Sequence, residues 1–396
     1  MDVETDISAE EKARVDRLLR TCFPDVKDFD KIFSYSLEFQ PNAKSFWSRV
    51  VRVALHCSDE TLSDRFPRTL FLKIPHLTEN LKRVNEEIPV MEEDDAQLLL
   101  KFTQMEILWY KDFGAADIPY FPIPKFYAAE TPTIPGTGII AMEDLCGRVK
   151  AMELVPGFSS EQVERVMDAL AGLHFHLISI TDQSWVSNFD RSSEVNQVFQ
   201  DLQFTAAMKF ESLCPEKFAG RIKGLEEHFS TKNAISALYC FQELGVPPVL
   251  VHSDLNPSNI LWSAAAPKSN ELIAIIDFQM FHTGLFTEDI VRVLALCLSR
   301  SDRRAMTTTF LRRYHDTLSR LFDGKPPYSF KKVEEAYDRI FLYASNFAFF
   351  ALSVYYDMSE ELEKDPIRLD GFRKEAIDRA YGILIDAEHV ISRMSP

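Results

Sequence analysis

The stretch Val249-Leu-Val-His-Ser-Asp-Leu-Asn-Pro-Ser-Asn-Ile-Leu-Trp262 places a polar run between two apolar, strand-forming segments. A second apolar run, Leu272-Ile-Ala-Ile-Ile276, is followed directly by Asp277. Phosphoryl transfer from ATP uses one carboxylate to accept the proton of the attacking hydroxyl. It also uses an Asn oxygen and a second carboxylate to hold Mg2+ at the phosphates. Asp254 stands where the first group is needed, and Asn259 and Asp277 stand where the metal ligands are needed.

Turn chemistry offers a simpler explanation for the same residues. Asp, Asn, Pro and Ser gather in turns because their side chains favour turn conformations, and each of the three residues taken singly fits a polar turn. Their joint spacing is His-x-Asp, then Asn five residues after that Asp, then Asp at the end of the next strand. This combination favours the catalytic and metal-binding loop of a kinase over a chance turn.

Length and composition set broad limits on the class of protein. A chain of 396 residues is long for one core, so two lobes or domains are expected. With 46% hydrophobic and 26% charged residues, the composition is that of a globular protein. The net charge of −16 argues against a nucleic-acid-binding surface and against binding to anionic membranes.

Cysteine spacing and the first residues of the chain indicate the cellular compartment. The six cysteines form no Cys-x-x-Cys pair, which indicates free thiols in a reducing compartment. The acidic start of the chain lacks the basic head and apolar core of a secretory signal, so a cytoplasmic location is expected. The apolar run Ile340 to Met358 contains Asn346 and reaches Asp357, which favours a buried helix over a membrane span.

Apolar periodicity predicts an α+β, bilobal protein-kinase-like fold. Residues 1–145 are expected to form a small strand-rich lobe with an N-terminal helix, an antiparallel sheet and one long helix. Residues 146–396 are expected to form a larger helical lobe that carries the catalytic and metal loops. Strands are predicted at 32–39, 46–56, 69–74, 124–127 and 139–142, and as a pair within 249–277. Helices are predicted at 9–21, 96–113, 160–180, 193–212, 215–245, 286–300, 302–322, 331–357 and 368–393.

A lone Lys inside an apolar strand, Lys73 in Phe71-Leu-Lys-Ile74, is a candidate phosphate ligand. A buried charge without a partner costs several kcal/mol, so it requires a partner or a ligand. Glu106 lies in the middle of the predicted apolar helix, and the order strand Lys, then helix Glu, is the one that kinases use. The alternatives are a Lys that points to water at a sheet edge and a Glu on the solvent face of its helix.

The turn between the first two strands, residues 40–48, contains no glycine. Backbone amides there approach phosphates less closely than those of a Gly-rich loop, so weaker ATP binding or a different contact, such as Ser48, is expected. Met142-Glu-Asp-Leu145 is a candidate hinge, in which an adenine ring meets the carbonyl of Glu143 and the amide of Leu145. An ordinary strand end explains this segment almost as well.

Seven motifs occur in one order along most of the chain, from the strand at Phe46 to about residue 385. They are Phe71-Leu-Lys-Ile-Pro75, Phe102-x-x-x-Glu106-x-x-x-Tyr110, Met142-Glu-Asp-Leu145, Leu170-Ala-Gly-Leu-His174, Val251-His-x-Asp-Leu-x-x-Ser-Asn-Ile-Leu-Trp262, Ile275-Ile-Asp-Phe-Gln279 and Glu288-Asp-Ile-Val-Arg-Val293. In these motifs the sequence resembles the ecdysteroid-kinase-like, or CHK-kinase-like, proteins of the aminoglycoside phosphotransferase and choline kinase superfamily. Their nematode branch is the closest match.

The resemblance implies an ATP- and Mg2+-dependent kinase that phosphorylates a hydroxyl of a small molecule. It implies Asp254 as the base, Asn259 and Asp277 as metal ligands, and Lys73 with Glu106 at the phosphates. His252 and Asp289 would support the loop structurally, and His174 would belong to the same packing. No nucleic-acid or membrane partner is expected, and the oligomeric state stays open. The 31 Phe and 12 Tyr suggest an apolar or steroid-sized acceptor, although core packing explains them about as well.

Two positions depart from the family pattern. Ser253 stands where the family usually has Gly, and Asn256 stands where it usually has Trp. Ser would strain the loop if its position requires a positive φ, and Asn256 changes the surroundings of the base. With the glycine-free turn, these departures raise the alternative of a nucleotide-binding protein with weak or no turnover. A protein kinase is less consistent, because no Ala-Pro-Glu follows Asp277 and Glu288 already begins the next helix.

Overall fold

The computed structural model describes residues 8–39, 47–59, 61, 64–76, 92–190, 193–265 and 270–394. The chain divides into two units. The first consists of Met1–Ala116 and Ile123–Arg148, and the second of Asp117–Pro122 and Val149–Pro396. The first unit is rich in strands and the second is mostly helical, as the predicted α+β protein-kinase-like fold requires.

Five antiparallel strands form the sheet of the first unit in the order β1-β2-β3-β5-β4. These strands are β1 Phe33–Phe39, β2 Ser48–Cys57, β3 Thr69–Pro75, β4 Phe126–Glu130 and β5 Ile139–Glu143. The helices of this unit are α1 Ala9–Cys22, α2 Phe29–Ile32 and α3 Glu92–Phe113. Helix α1 begins at the predicted capping box, in which the side chain of Ser8 accepts from the backbone of Glu11 and that of Glu11 accepts from Ser8.

Alternation along β3 decides which of its side chains enter the core. Leu70, Leu72 and Ile74 are buried on one face of the sheet, where they join the apolar residues of α1. Because successive strand residues point to opposite faces, Phe71 and Lys73 lie on the other face. The strand thus places a Lys outside the main core of the sheet but within an apolar sequence.

The second unit contains two small sheets surrounded by helices. One sheet has the order β6-β8-β9 and the other pairs β10 with β7. The strands are β6 Val149–Ala151, β7 Val249–Val251, β8 Ile260–Ser263, β9 Leu272–Ile275 and β10 His282–Gly284. The helices are α4 Ser160–Ser179, α5 Trp185–Asn188, α6 Ser193–Leu213, α7 Pro215–Phe218, α8 Thr231–Leu238, α9 Phe241–Leu244, α10 Glu288–Cys297, α11 Arg300–Leu321, α12 Phe330–Asp357, α13 Ser359–Leu362 and α14 Pro366–Met394.

One expectation within this unit is wrong, and a second needs a correction of its strand partners. The single helix predicted at 215–245 is instead a series of short segments: α7, a 3-10 turn at Lys223–Leu225, α8 and α9. Gly220 has a φ of 73°, which ends the first segment, and Ser230 caps the start of α8. The strand pair predicted within 249–277 is present as β8 with β9, whereas β7 pairs with β10 beyond this range and β8 also pairs with β6. The segment 252–259 therefore connects strands of two different sheets.

The apolar segment at Ile340 to Met358 lies almost entirely in α12, which packs against α6, α10 and α14. Most of its side chains are buried. Asn346 donates a hydrogen bond to the side chain of Gln200 at 2.9 Å, which satisfies one of its buried amide hydrogens. Within the described residues, no helix has the length and apolar character that a membrane crossing requires.

Candidate active-site residues

The loop between β7 and β8 begins with two backbone amides bound to one carboxylate. Asp289, in the first turn of α10, accepts from the backbone N–H of His252 at 2.7 Å and from that of Ser253 at 2.9 Å. Its side chain is buried, and burial, with the charge of the adjacent Glu288 adding to it, raises the pKa of Asp289 to about 7. Asp289 therefore fixes the backbone at the start of the loop to the helix that follows Asp277.

His252 links this loop to the end of β9. Its Nε2 lies 2.9 Å from the carbonyl oxygen of Ile276, and its Nδ1 lies 3.3 Å from the backbone nitrogen of Asp254. Because a carbonyl can only accept and an amide N–H can only donate, the ring hydrogen belongs on Nε2. Burial lowers the pKa of His252 to about 4, so the neutral ring is favoured. The ring thus holds the backbone of Asp254 beside the residue that precedes Asp277.

Two amide side chains bind the carboxylate of Asp254. Asn256 Nδ2 donates to Oδ1 at 3.0 Å, and Asn259 Nδ2 donates to Oδ2 at 3.0 Å. Burial and then the charge of Asp277 raise the pKa of Asp254 to about 7, although these two amides and Arg292 act in the opposite direction. A carboxylate that titrates near neutral pH and has a fixed orientation has the properties of a general base.

Asn259 and Asp277 lie next to each other because the backbone N–H of Ile276 donates to the carbonyl of Asn259 at 3.0 Å. Since Nδ2 of Asn259 is bound to Asp254, Oδ1 is the atom that this amide can offer to a cation. In the described part of the chain, no group of three or more His, Cys, Asp or Glu residues is arranged to hold a metal. A carboxylate and an amide oxygen nevertheless fit Mg2+, which usually keeps several waters and binds substrate phosphates.

The strand Lys and the helix Glu meet in the first unit. Lys73 Nζ lies 2.7 Å from Glu106 Oε2, and their side chains are 14% and 2% exposed. A Lys that points to water and a Glu on the solvent face of α3 are both inconsistent with these values. The carboxylate compensates the charge of Lys73 and restricts its orientation, which is what a phosphate-binding ammonium group requires.

The three other residues predicted to contact the nucleotide, Ser48, Glu143 and Leu145, lie at or just beyond strand ends of the first unit. Ser48 begins β2, is buried and stands opposite Pro75, whereas residues 40–46 of the glycine-free turn lie outside the described residues. Glu143 ends β5; its backbone N–H donates to the carbonyl of Lys125 at 2.8 Å, and its side chain pairs with Arg148 at 2.5 Å. The carbonyl of Leu145 accepts from the backbone N–H of Arg148 at 3.1 Å. Both predicted hinge residues therefore belong to one turn closed by Arg148.

Arg292, for which the sequence predicted no role, contacts the loop at 252–259. Arg292 Nη1 donates to Ser253 Oγ at 2.7 Å. The sequence contained a signal for this residue, because Arg292 is a lone cation within the apolar run Ile290–Leu296. That is the same signal that identified Lys73.

A family model described as "Uncharacterized oxidoreductase dhs-27" (DUF1679) matches residues 40–393. The chain belongs to this family. A Caenorhabditis elegans relative named "Uncharacterized kinase-like protein D1044.1" is 29% identical over 381 residues, which cover 94% of this chain and 98% of that protein. The resemblance to a nematode branch of kinase-like proteins is thereby confirmed.

The oxidoreductase name comes from a longer relative. "Uncharacterized oxidoreductase dhs-27" of Caenorhabditis elegans is 27% identical over 295 residues, which cover 70% of this chain but 34% of that protein. The sequence here contains one Gly-x-Gly, at Gly136 and Gly138. A dinucleotide-binding fingerprint follows a strand and opens a helix, whereas this glycine pair leads into β5. It therefore lacks the structural context of such a site.

Solved structures of phosphotransferases are similar to the chain at low sequence identity. The GDP complex of aminoglycoside 2'-phosphotransferase-IIIa is 15% identical, with a TM-score of 0.49, and the alignment covers 95% of this chain and 99% of that one. A microcompartment-associated aminopropanol kinase is 12% identical, with a TM-score of 0.42, and covers 91% and 93% of the two chains.

Proposed function

We propose that this protein is an ATP- and Mg2+-dependent phosphotransferase that phosphorylates a hydroxyl group of a small molecule. The observation that carries the proposal is the carboxylate of Asp254, which two amide side chains orient beside Asn259 and Asp277. The kinase-like name of the Caenorhabditis elegans relative supports the same assignment. The paired Lys73 and Glu106 supply the cation that this chemistry uses at the phosphates.

In this proposal Asp254 accepts the proton of the acceptor hydroxyl while the hydroxyl oxygen forms a bond to the γ-phosphorus of ATP. The bond between that phosphorus and the bridging oxygen breaks, and ADP leaves with the electron pair. Asn259 Oδ1 and the carboxylate of Asp277 would hold Mg2+, which neutralises phosphate charge when it is bound. Lys73 binds phosphate oxygens, and Glu106 keeps its ammonium group in place. Because burial raises the pKa of Asp254 to about 7, the carboxylate can take up and release this proton near neutral pH.

The proposed acceptor is an apolar or steroid-sized alcohol, and α12 carries the residues that motivate this class. Phe349 is fully buried and belongs to the core. Tyr355 is partly exposed, and its hydroxyl lies 3.2 Å from Ser258 Oγ in the catalytic loop. Burial raises the pKa of Tyr355 to about 12, and the charge of Asp254 acts in the same direction. An apolar ring with a polar edge at this position suits an alcohol whose remaining surface is apolar.

A metabolite screen tests the proposal directly. The purified protein is incubated with Mg-ATP and fractionated metabolite extracts, and mass spectrometry detects compounds that gain a phosphate. We expect one class of alcohol to gain phosphate with the wild type and none with Asp254→Ala, whose fold is checked by circular dichroism. Equal phosphorylation by a folded Asp254→Ala variant would refute the assignment of the base.

A nucleotide-binding protein without turnover is the second candidate. The observation that favours it is the φ of 70° at Ser253, a left-handed conformation that favours the Gly usual in this family. In this case Mg-ATP would raise the unfolding temperature, but neither acceptors nor water would receive phosphate. Measurable ATP consumption that disappears in Asp254→Ala would eliminate this candidate.

A further inference from the structure

A buried ionic cluster lies directly beneath the catalytic loop. The side chains of Arg292, Glu288 and His282 are each at most 2% exposed. Arg292 Nη2 is 2.8 Å from Glu288 Oε1, and Glu288 Oε2 is 3.2 Å from His282 Nε2. The guanidinium group also stacks over the ring of Phe347 at 4.4 Å. Removing two charges from water is costly, and such a pair is weak evidence for stabilisation alone.

A hydrogen bond joins the cluster to Ser253, a conformationally constrained residue of the loop. Arg292 Nη1 donates to Ser253 Oγ at 2.7 Å. Ser253 is fully buried and has a φ of 70°, which is unfavourable for a residue with a Cβ atom. Glycine would adopt this conformation without strain but could not accept the hydrogen bond. The hydroxyl therefore supplies an interaction that a glycine at this position would lack.

From this geometry we infer that Arg292 is a positioning residue for the catalytic loop. Glu288 orients the guanidinium group, which holds Ser253 in its left-handed conformation and so fixes the backbone from which Asp254 projects. The inference depends on the proposed function only for the role of Asp254 as the base.

The other groups around Arg292 come from three elements. Glu288 lies on the same helix, His282 on β10, and Tyr343, whose ring is 5.9 Å from the guanidinium carbon, on α12.

A double-mutant cycle tests the link between Arg292 and Ser253. Ser253→Gly removes the accepting oxygen and allows the same backbone conformation, and Arg292→Lys keeps a cation for Glu288 but not the forked donor. Urea midpoints are measured for both single variants and for the double variant, without nucleotide. We expect the double variant to lose less than the sum of the two single losses, because both remove one interaction. Losses that add would overturn the link.

Hydrogen exchange at the backbone amides of Ser253 and Asp254 tests whether Arg292 holds the loop, because both amides are hydrogen-bonded in the folded protein. Exchange is followed by NMR and compared with that of the amides of β2 in the same sample. Arg379→Met is the matched control, because Arg379 is equally buried but donates to the carbonyls of Leu296 and Pro156. We expect exchange at these two amides to be faster in Arg292→Met and to stay at the wild-type rate in Arg379→Met.

Unchanged exchange at both amides in a folded Arg292→Met variant would overturn the inference, as would an equal acceleration in the control. If Arg292→Met does not fold because Glu288 has lost its counter-charge, the urea cycle decides, since all of its variants keep either Arg or Lys at this position. Both measurements are made without acceptor or ATP. Their failure is therefore distinguishable from a failure of the proposed phosphotransferase activity.

Discussion

Replacement of Asp254 by Asn should abolish turnover and yet stabilise the protein at alkaline pH. Burial and the nearby Asp277 raise the pKa of Asp254 from 3.8 to about 7. Because the pKa in the folded protein lies above that in the unfolded chain, the folded protein binds this proton more tightly. Its contribution to stability is complete below the unfolded pKa and is lost as the pH rises through about 7. Asn carries no such charge, so the variant avoids this loss.

The size of the effect follows from the pKa difference. A shift of about 3 pKa units corresponds to about 4 kcal/mol over the full titration, of which about 3 kcal/mol falls between pH 5 and pH 8.5. Water reaches the partly exposed carboxylate and screens its charge, which reduces the expected change to about 2 kcal/mol. Asn at this position offers one acceptor oxygen to the two amides of Asn256 and Asn259, which costs about 1 kcal/mol at every pH.

Urea unfolding of the wild type and of Asp254→Asn at pH 5 and pH 8.5, with EDTA present, measures the difference in unfolding free energy between the two proteins. The difference should shift toward the variant by about 2 kcal/mol as the pH rises. The titration of Asp289 is common to both proteins and cancels. Asp370→Asn, at a side chain that is 64% exposed on α14, is measured beside it as a surface control for the change from Asp to Asn. A difference for Asp254→Asn that is constant, or that shifts toward the wild type, would refute the reasoning.

Three other substitutions have expected outcomes. Lys73→Met removes the Lys73 cation from the buried Glu106 and should lower the unfolding free energy by about 3 kcal/mol. Adding Glu106→Gln should restore most of that free energy, and strictly additive effects in urea unfolding would contradict this coupling. Mg-ATP should raise the unfolding temperature of the wild type, and EDTA should remove this rise. Asn259→Leu should show no such rise, and a rise of wild-type size in this variant would exclude Asn259 as a metal ligand. Asp289→Asn should cost about 2–4 kcal/mol, because its amide group faces a backbone N–H, and should speed hydrogen exchange at Ser253; unchanged exchange would argue against the double acceptor role.

Strand positions and long helices were predictable from the sequence because their signal is local. Alternating apolar residues gave the strand predicted at 69–74, which is observed at Thr69–Pro75. The break at 215–245 was not predictable from periodicity, since Gly220 and the cap at Ser230 interrupt a pattern that otherwise continues. The pairing of β7 with β10 joins strands of three residues each. Strands this short carry little information about their partner in their own sequence, and the packing of the surrounding helices decides which strands meet.

The residue types of the candidate site and their order along the chain could be predicted from the sequence, but the hydrogen bonds between them could not. Spacing alone suggested Asp254, Asn259 and Asp277 as one group. It gave no indication that the amide of Asn259 binds Asp254 and thereby turns its oxygen toward a possible cation. The contact of Arg292 with Ser253 joins residues 39 positions apart, and only tertiary structure brings them together.

The two departures from the family pattern have local compensation, which bears on whether the site can turn over. Ser253 accepts the hydrogen bond of Arg292 at 2.7 Å, so a side-chain contact opposes the strain of its positive φ. Asn256 donates to Asp254 and accepts from the backbone N–H of Ser258 at 2.9 Å, and an indole has no acceptor with which to do both. Because each departure adds a contact that orients the loop around Asp254, neither is by itself a reason to expect an inactive site. Ser253→Gly and Asn256→Trp should therefore weaken the orientation of the base, and neither substitution should increase turnover.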